Sequence, residues 1–234
     1  MKKIAILQSN YIPWKGYFDM IRSVDEFILY DDMQYTRRDW RNRNMVKSPQ
    51  GLHWLTIPVD AKGKFDQKIK ETKISDLTWA QDHWKTLKLY YGKAPHFKDY
   101  APQFEAAYNE CATVELLSQV NFKFIRLVCD ILQIPTKITW SMDYELKDGK
   151  TERLIGLCQS AGGTHYLSGP AAKDYIVDSL FKEAGIDLAY MDYSGYPEYP
   201  QLYGDFAHGV SVLDLLFNTG SEALKYMKSI EPSR

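Results

Sequence analysis

Lys3-Ile-Ala-Ile-Leu7, Gln8-Ser-Asn-Tyr-Ile-Pro-Trp-Lys-Gly16, Tyr17-Phe-Asp-Met-Ile-Arg-Ser-Val24, Asp25, and Glu26-Phe-Ile-Leu-Tyr30 followed by Asp31-Asp32 are the opening segments from which the fold is read. The first is a short β-branched apolar run suited to the interior of a parallel sheet. The second carries Pro13 and Gly16 and reads as a loop. In the third, apolar residues at 17, 18, 20, 21 and 24 recur at helical spacing. The fourth is apolar, aromatic-rich and too short for a helix, so it reads as a second strand. Strand, loop, helix and strand within about thirty residues is the size of a βαβ unit. In such units ligands sit at the carboxyl ends of the strands, so Gln8–Tyr11 and Asp31-Asp32 are expected on one edge of the sheet.

Working outward, Asn44–Lys47 and Leu52–Val59 read as extended segments joined by a turn at Ser48-Pro-Gln-Gly51. Lys62-Gly-Lys64 reads as a basic loop, and Lys68–Ile74 alternates like an edge strand. Residues 76 to about 133 read as helices: one ends at Gly92, a second is bracketed by Pro95 and Pro102, and a third begins near Thr113 and stops before Pro135. A second α/β part follows. It has strands at 137–141, 164–169 and 186–191, a helix over 151–161, a helix over 171–184 opened by Pro170, and a helix over 211–217 capped by Ser211. The expected architecture is one α/β domain spanning residues 1–234, a Rossmann-like parallel sheet with a helical insertion at about 76–133.

The 234 residues carry a formal net charge of −1, so no global field advertises nucleic acid or membrane. The charge is uneven, with ten Lys/Arg against four acidic residues between Met33 and Lys73. Cys111, Cys129 and Cys158 form neither a disulfide framework nor a zinc pair and read as packed thiols. The apolar run after Met1-Lys-Lys3 is too short for a signal peptide, and no run reaches transmembrane length, so a soluble cytoplasmic protein is expected.

The chemistry concentrates between Asp31 and Asn44, where Arg37, Arg38, Arg41 and Arg43 interleave with Tyr35, Trp40, Asn42 and Asn44. Arginine forks suit phosphate or carboxylate, and rings between them stack on a base or sugar face. The stretch reads as an anion site for a phosphorylated ligand, with a solvated basic hairpin as the plainer alternative. No Walker loop, GxGxxG, HExxH, CxxC or GxSxG is present, so no metal and no cofactor are assigned. Mg²⁺ bridging Asp31 or Asp32 to phosphate is compatible with the sequence but not required by it. His165, on a strand running into Ser168-Gly169, is a candidate general base whose plainer reading is a hydrogen-bonded structural histidine. Backbone donors near Ala171 and Ala172 would face an anion held at that helix start.

Gln8–Phe18, Asp31–Tyr35, Arg38–Asn44, Trp54–Val59, Thr164–Gly169 and Ser211–Asn218 together resemble the WbqC-like proteins, with Ser9 departing from the family pattern. The resemblance covers nearly the whole chain. It implies a bacterial protein associated with surface polysaccharide such as O-antigen, and a transferase attaching an acyl or aminoacyl group (glycyl among them) to an amino sugar. The expected partner is a nucleotide sugar or other phosphorylated small molecule, the acyl donor being unspecified. In that reading Asp32 and His165 are catalytic. Gln8, Asn10, Tyr11, Trp14, Asp31, Gln34, Tyr35, Arg38, Trp40, Arg41, Asn42, Arg43, Ser168 and Gly169 bind substrate. Arg38, Arg41 and Arg43 would hold the diphosphate while Trp40 or Tyr35 stacks on base or sugar. The alternative is a protein that binds RNA or single-stranded nucleic acid along the arginine and aromatic stretch.

Overall fold

The computed structural model describes residues 1–228. Five strands, β1 (Lys3–Leu7), β2 (Glu26–Leu29), β5 (Lys137–Trp140), β6 (His165–Ser168) and β7 (Asp187–Tyr190), form one sheet. Its order is β5-β2-β1-β6-β7, and every pairing is parallel. The other two strands, β3 (Arg43–Ser48) and β4 (Gly51–Thr56), make a separate antiparallel hairpin. Gly51 turns that hairpin at φ 109°, a backbone that side chains with a Cβ avoid.

Alternation along the strands feeds two cores, one on each face. Ala5, Phe27 and Leu29 join α1 (Lys15–Arg22), the helices of the insertion and α7 (Val212–Thr219). Ile4, Ile6 and Ile28 join α5 (Thr151–Ser160) and α6 (Asp178–Glu183) on the other face. The result is a three-layer α/β/α architecture of the Rossmann-like kind. The insertion comprises α2 (Trp79–Tyr91), α3 (Phe97–Cys111) and α4 (Leu117–Ile131), and it packs on the α1 side.

Three local readings are corrected. Residues 68–74 are not a strand: Ile69–Glu71 forms a 3-10 turn, with isolated bridges from Gln34 to Lys68, from Val59 to Ile74 and from Lys73 to Leu116. Pro102 lies inside α3 rather than at its end. The helix expected over 171–184 is split into a 3-10 turn, Pro170–Asp174, and the short α6.

From β1 the chain steps to β2 and β5 on one side; α5 then carries it back across to β6 on the other. The order therefore reverses at β1, and the loops leaving β1 and β6 diverge around a crevice. In open parallel sheets this is where ligands bind.

Candidate functional site

The loop after β1 is shaped by a buried polar network. Asp31, fully buried at the end of β2, accepts from the Ser9 amide at 2.8 Å and the Ser9 hydroxyl at 2.7 Å. Burial pushes its carboxyl up to about 6, although the two Ser9 donors and the nearby Arg41 pull the other way. Asn121 of α4 donates to the Ser9 hydroxyl and to the Arg41 carbonyl, so the insertion holds this loop from behind. Ile12 takes φ 36°, a strained value for a β-branched residue. Asn44 sustains it by donating to the Tyr11 and Ile12 carbonyls at 3.1 and 2.9 Å.

That turn sends neighbouring side chains in opposite directions. Tyr11 is fully buried, its hydroxyl bonded to His83 and Tyr108. Asn10 and Trp14 instead face two adjoining cavities.

The larger cavity, about 830 Å³, occupies the crevice at the carboxyl ends of β1 and β6. Gln8, Asn10, Ser168 and Gly169 line it, together with three cationic side chains, Arg41, Lys150 and Arg153. No described residue lining it is acidic. Arg41 is fixed there by donating to Asn10 Oδ1, while its Nε is buried without a partner. Arg153 stands in the first turn of α5 and donates its Nε to the Lys147 carbonyl at 2.8 Å. The amino end of α5 therefore opens on the same cavity that holds these cations.

The smaller cavity, about 610 Å³, is lined by Trp14, Trp40, Tyr193 and Tyr196 with Asn10, Asn44 and His208. None of its lining side chains carries a fixed charge. Asn10, Trp14 and Tyr193 belong to both cavities and form the ridge between them. Trp14 lies over Gly16, where any Cβ would collide with the indole. It packs against Tyr193 at 5.2 Å and Tyr196 at 5.5 Å. The loop carrying these tyrosines is anchored by Lys15, whose buried ammonium donates to the Pro197 carbonyl and sits among the Tyr196, Tyr199 and Phe206 rings. Burial lowers that lysine to about 8, against the opposing pull of Asp19 and Asp214.

Of the residues singled out in the sequence, the structure brings together Gln8, Asn10, Trp14, Trp40, Arg41, Ser168 and Gly169, with Asp31 behind them. The others lie elsewhere. Asp32 is buried but accepts from Lys70 at 2.5 Å and Ser141 at 2.7 Å, and it lines neither cavity. Those two donors hold its carboxyl below the usual range despite burial. Gln34 donates to the Phe65 carbonyl, and Tyr35 is buried in the core. Asn42 donates to the Ile57 carbonyl. The arginines disperse: Arg37 donates to the Ala61 carbonyl, and Arg38 is exposed with φ 58°. Arg43 donates to the Arg38 carbonyl and lays its guanidinium 4.2 Å from the Trp54 ring centre. His165 begins β6, at the amino edge of the sheet, with Nε2 3.0 Å from Asp187 and Nδ1 2.9 Å from the Thr164 hydroxyl. Three strand steps, about 10 Å, separate it from Ser168.

Lys150, Arg153, Tyr193 and Tyr196 were not picked out by sequence reasoning. A basic pair opening a helix that follows a strand was the available signal for the first two. For the tyrosines, the only signal was a loop dense in Tyr, Pro and Gly. Among the described residues no His, Cys, Asp and Glu side chains gather into a metal-holding group, and no helix is long and apolar enough to cross a membrane.

The sheet order and the cationic crevice define an α/β protein with a preformed cleft at its switch point. The chain belongs to the WbqC-like protein family, whose model matches residues 8–226. It is 52% identical over 228 residues to "Uncharacterized protein Rv1507c" of Mycobacterium tuberculosis, covering 97% of this chain and 98% of that relative. No solved structure gives a significant match.

Proposed function

We propose that the protein is a transferase that attaches an acyl or aminoacyl group, glycyl among them, to a nucleotide-linked amino sugar used in surface polysaccharide such as O-antigen. The carrying observation is the crevice itself: three cationic side chains and no acidic one converge at the sheet's switch point. Arg41, Lys150 and Arg153 hold the diphosphate, Arg41 from the β1 side and the other two from the start of α5. Charge-assisted bonds of this kind are short and directional, and the dipole of α5 adds to them. Gln8 and Ser168-Gly169, on the crevice side of the Asn10–Trp14–Tyr193 ridge, border the sugar. A compact crevice suits a small phosphorylated ligand better than a nucleic-acid strand, because Arg37 and Arg43 spend their forks on backbone carbonyls instead of forming a phosphate track.

The test is incubation with candidate nucleotide-linked amino sugars and acyl donors, followed by mass spectrometry of the sugar. Acylation that disappears in Arg153→Ala supports the reading. Undiminished acylation in Arg153→Ala and in an Arg41→Ala variant would remove these residues from it. Thermal shift gives an independent readout, since a ligand at about 100 times its dissociation constant adds roughly 2.7 kcal/mol of stability.

A further inference from the structure

The aromatic cavity is a separate compartment with its own chemistry, and we propose that it binds the nucleobase of the ligand whose phosphates occupy the cationic crevice. This assignment rests on the anion reading given above and extends it to the other side of the ridge.

Two indoles contribute to the walls of the cavity, and each is braced by neighbouring rings. Trp40 is 40% exposed, an unusual place for so large an apolar ring. It is backed by Trp54 at 5.4 Å with the planes 37° apart, and Trp54 is in turn covered by the Arg43 guanidinium at 4.2 Å. This guanidinium–indole–indole stack fixes an exposed ring without burying it. Trp14 is seated on Gly16 and braced by Tyr193 and Tyr196. Rings held in place before a ligand arrives lose little entropy when one stacks on them.

The lining selects among flat ligands. With no fixed charge in its walls the cavity does not suit phosphate, and it lies beside a crevice that does. Asn44 spends its side chain on the Tyr11 and Ile12 carbonyls and the Met45 amide, so it has little left for a ligand. Ser194 spends its hydroxyl on Asp192, which leaves His208, the Asn10 amide and the Tyr193 and Tyr196 hydroxyls, whereas a free sugar would need partners for most of its hydroxyls. A base needs only its edge read, and every base presents a face that stacks. Arg41, bonded to Asn10 at the ridge, stands where the first phosphate beyond such a base would pass.

The experiment compares inorganic pyrophosphate with the 5′-diphosphates of adenosine, guanosine, cytidine, uridine and thymidine on the intact protein. Calorimetry gives affinity, and quenching of tryptophan fluorescence reports stacking. At least one nucleoside diphosphate is expected to quench and to bind tenfold or more tightly than pyrophosphate. Trp40→Ala should remove about tenfold of that nucleotide affinity and leave pyrophosphate affinity unchanged, while Trp40→Phe restores most of it. Arg153→Ala should weaken both ligands.

If pyrophosphate binds as tightly as every nucleoside diphosphate, the base site is overturned while the anion site stands. Unchanged nucleotide affinity in Trp40→Ala also overturns it, as does quenching by a free hexosamine but by no nucleotide. Binding of neither pyrophosphate nor any nucleotide overturns both readings together.

Discussion

The two edges of the parallel sheet are built on opposite principles. At the amino edge Glu26, fully buried at the start of β2, accepts from Lys2 at 2.7 Å, Lys137 at 3.2 Å, Thr139 at 2.9 Å and the Tyr144 hydroxyl. Those donors outweigh its desolvation and hold the carboxyl down at about 2. His165 and Asp187 pair nearby across β6 and β7. At the carboxyl edge, by contrast, Asp31 is pushed up to about 6, Ile12 is strained, and Arg41 Nε and Asn121 Oδ1 are buried without partners. One edge is close to satisfied and the other keeps unspent polar capacity beside a cavity. Groups of the second kind cost stability, and such groups cluster at functional sites.

The largest expected effect lies at the amino edge. Glu26→Ala removes the shared acceptor of Lys2, Lys137, Thr139 and Tyr144 and should cost about 3–5 kcal/mol, because several hydrogen bonds to one charged group are lost together. Urea denaturation measures it, and a loss below about 1 kcal/mol would erase the contrast between the edges.

Next comes the pH dependence of folding, which should carry opposite signs at the two edges. The folded pKa of Asp31 is raised from 3.8 to about 6, so its stabilising contribution is fully present below pH 4 and is lost as pH rises through 6. The difference amounts to about 3 kcal/mol at most. Glu26 is lowered from 4.5 to about 2, so its contribution is present above pH 4.5 and fades as pH falls toward 2. Asp31→Asn should flatten the stability profile between pH 4 and 6 only, and Glu26→Gln below 4.5 only. Coincident changes in the two variants would show that the edges are not independent.

A smaller effect, confined to ligand binding, is expected at α5. Arg153→Ala should leave the melting temperature of the free protein within about 2 °C of the parent while weakening a phosphorylated ligand by roughly 1.5–3 kcal/mol. A large stability loss without an affinity change would move Arg153 to the structural side of the comparison.

The smallest effect belongs to His165→Ala. Its pairing with the well-exposed Asp187 is worth about 0–1 kcal/mol, and neither affinity nor turnover should change. A hundredfold fall in turnover would connect the amino edge to the chemistry after all.

Much of this organisation was written locally. The apolar runs at 3–7 and 26–30, with the helical spacing between them, announced β1, α1 and β2, because each element buries its own periodic face. The segment from 76 to 133 read as helical and contains three helices, since its aromatic and leucine stripes recur over long windows. Ser48–Gly51 marked the hairpin turn by its composition alone. The expectation that Gln8, Asn10 and Ser168-Gly169 share one edge followed from parallel-strand geometry, which requires no side-chain detail.

Side-chain direction was beyond that reading, and it decides the site. Asp31 and Asp32 are adjacent in sequence, yet one meets Ser9 and the other Lys70 and Ser141, because the choice depends on elements more than twenty residues away on either side. Tyr11 and Asn10 separate at a strained turn whose support, Asn44, comes from the next hairpin. The arginine run looked like one patch because charge density is visible along a chain. It disperses because each fork meets a different acceptor once the hairpin folds. Arg153, Lys150, Tyr193 and Tyr196 enter the cavities only through the crossover after β5 and the loop before α7. By itself the sequence determined the layers, the parallel order of events along the chain and the edge at which the loops after β1 and β6 gather, since these follow from local periodicity and chain handedness. The tertiary structure alone decided which charges face the crevice and which close on the protein, because a side chain's partner is set by long-range packing.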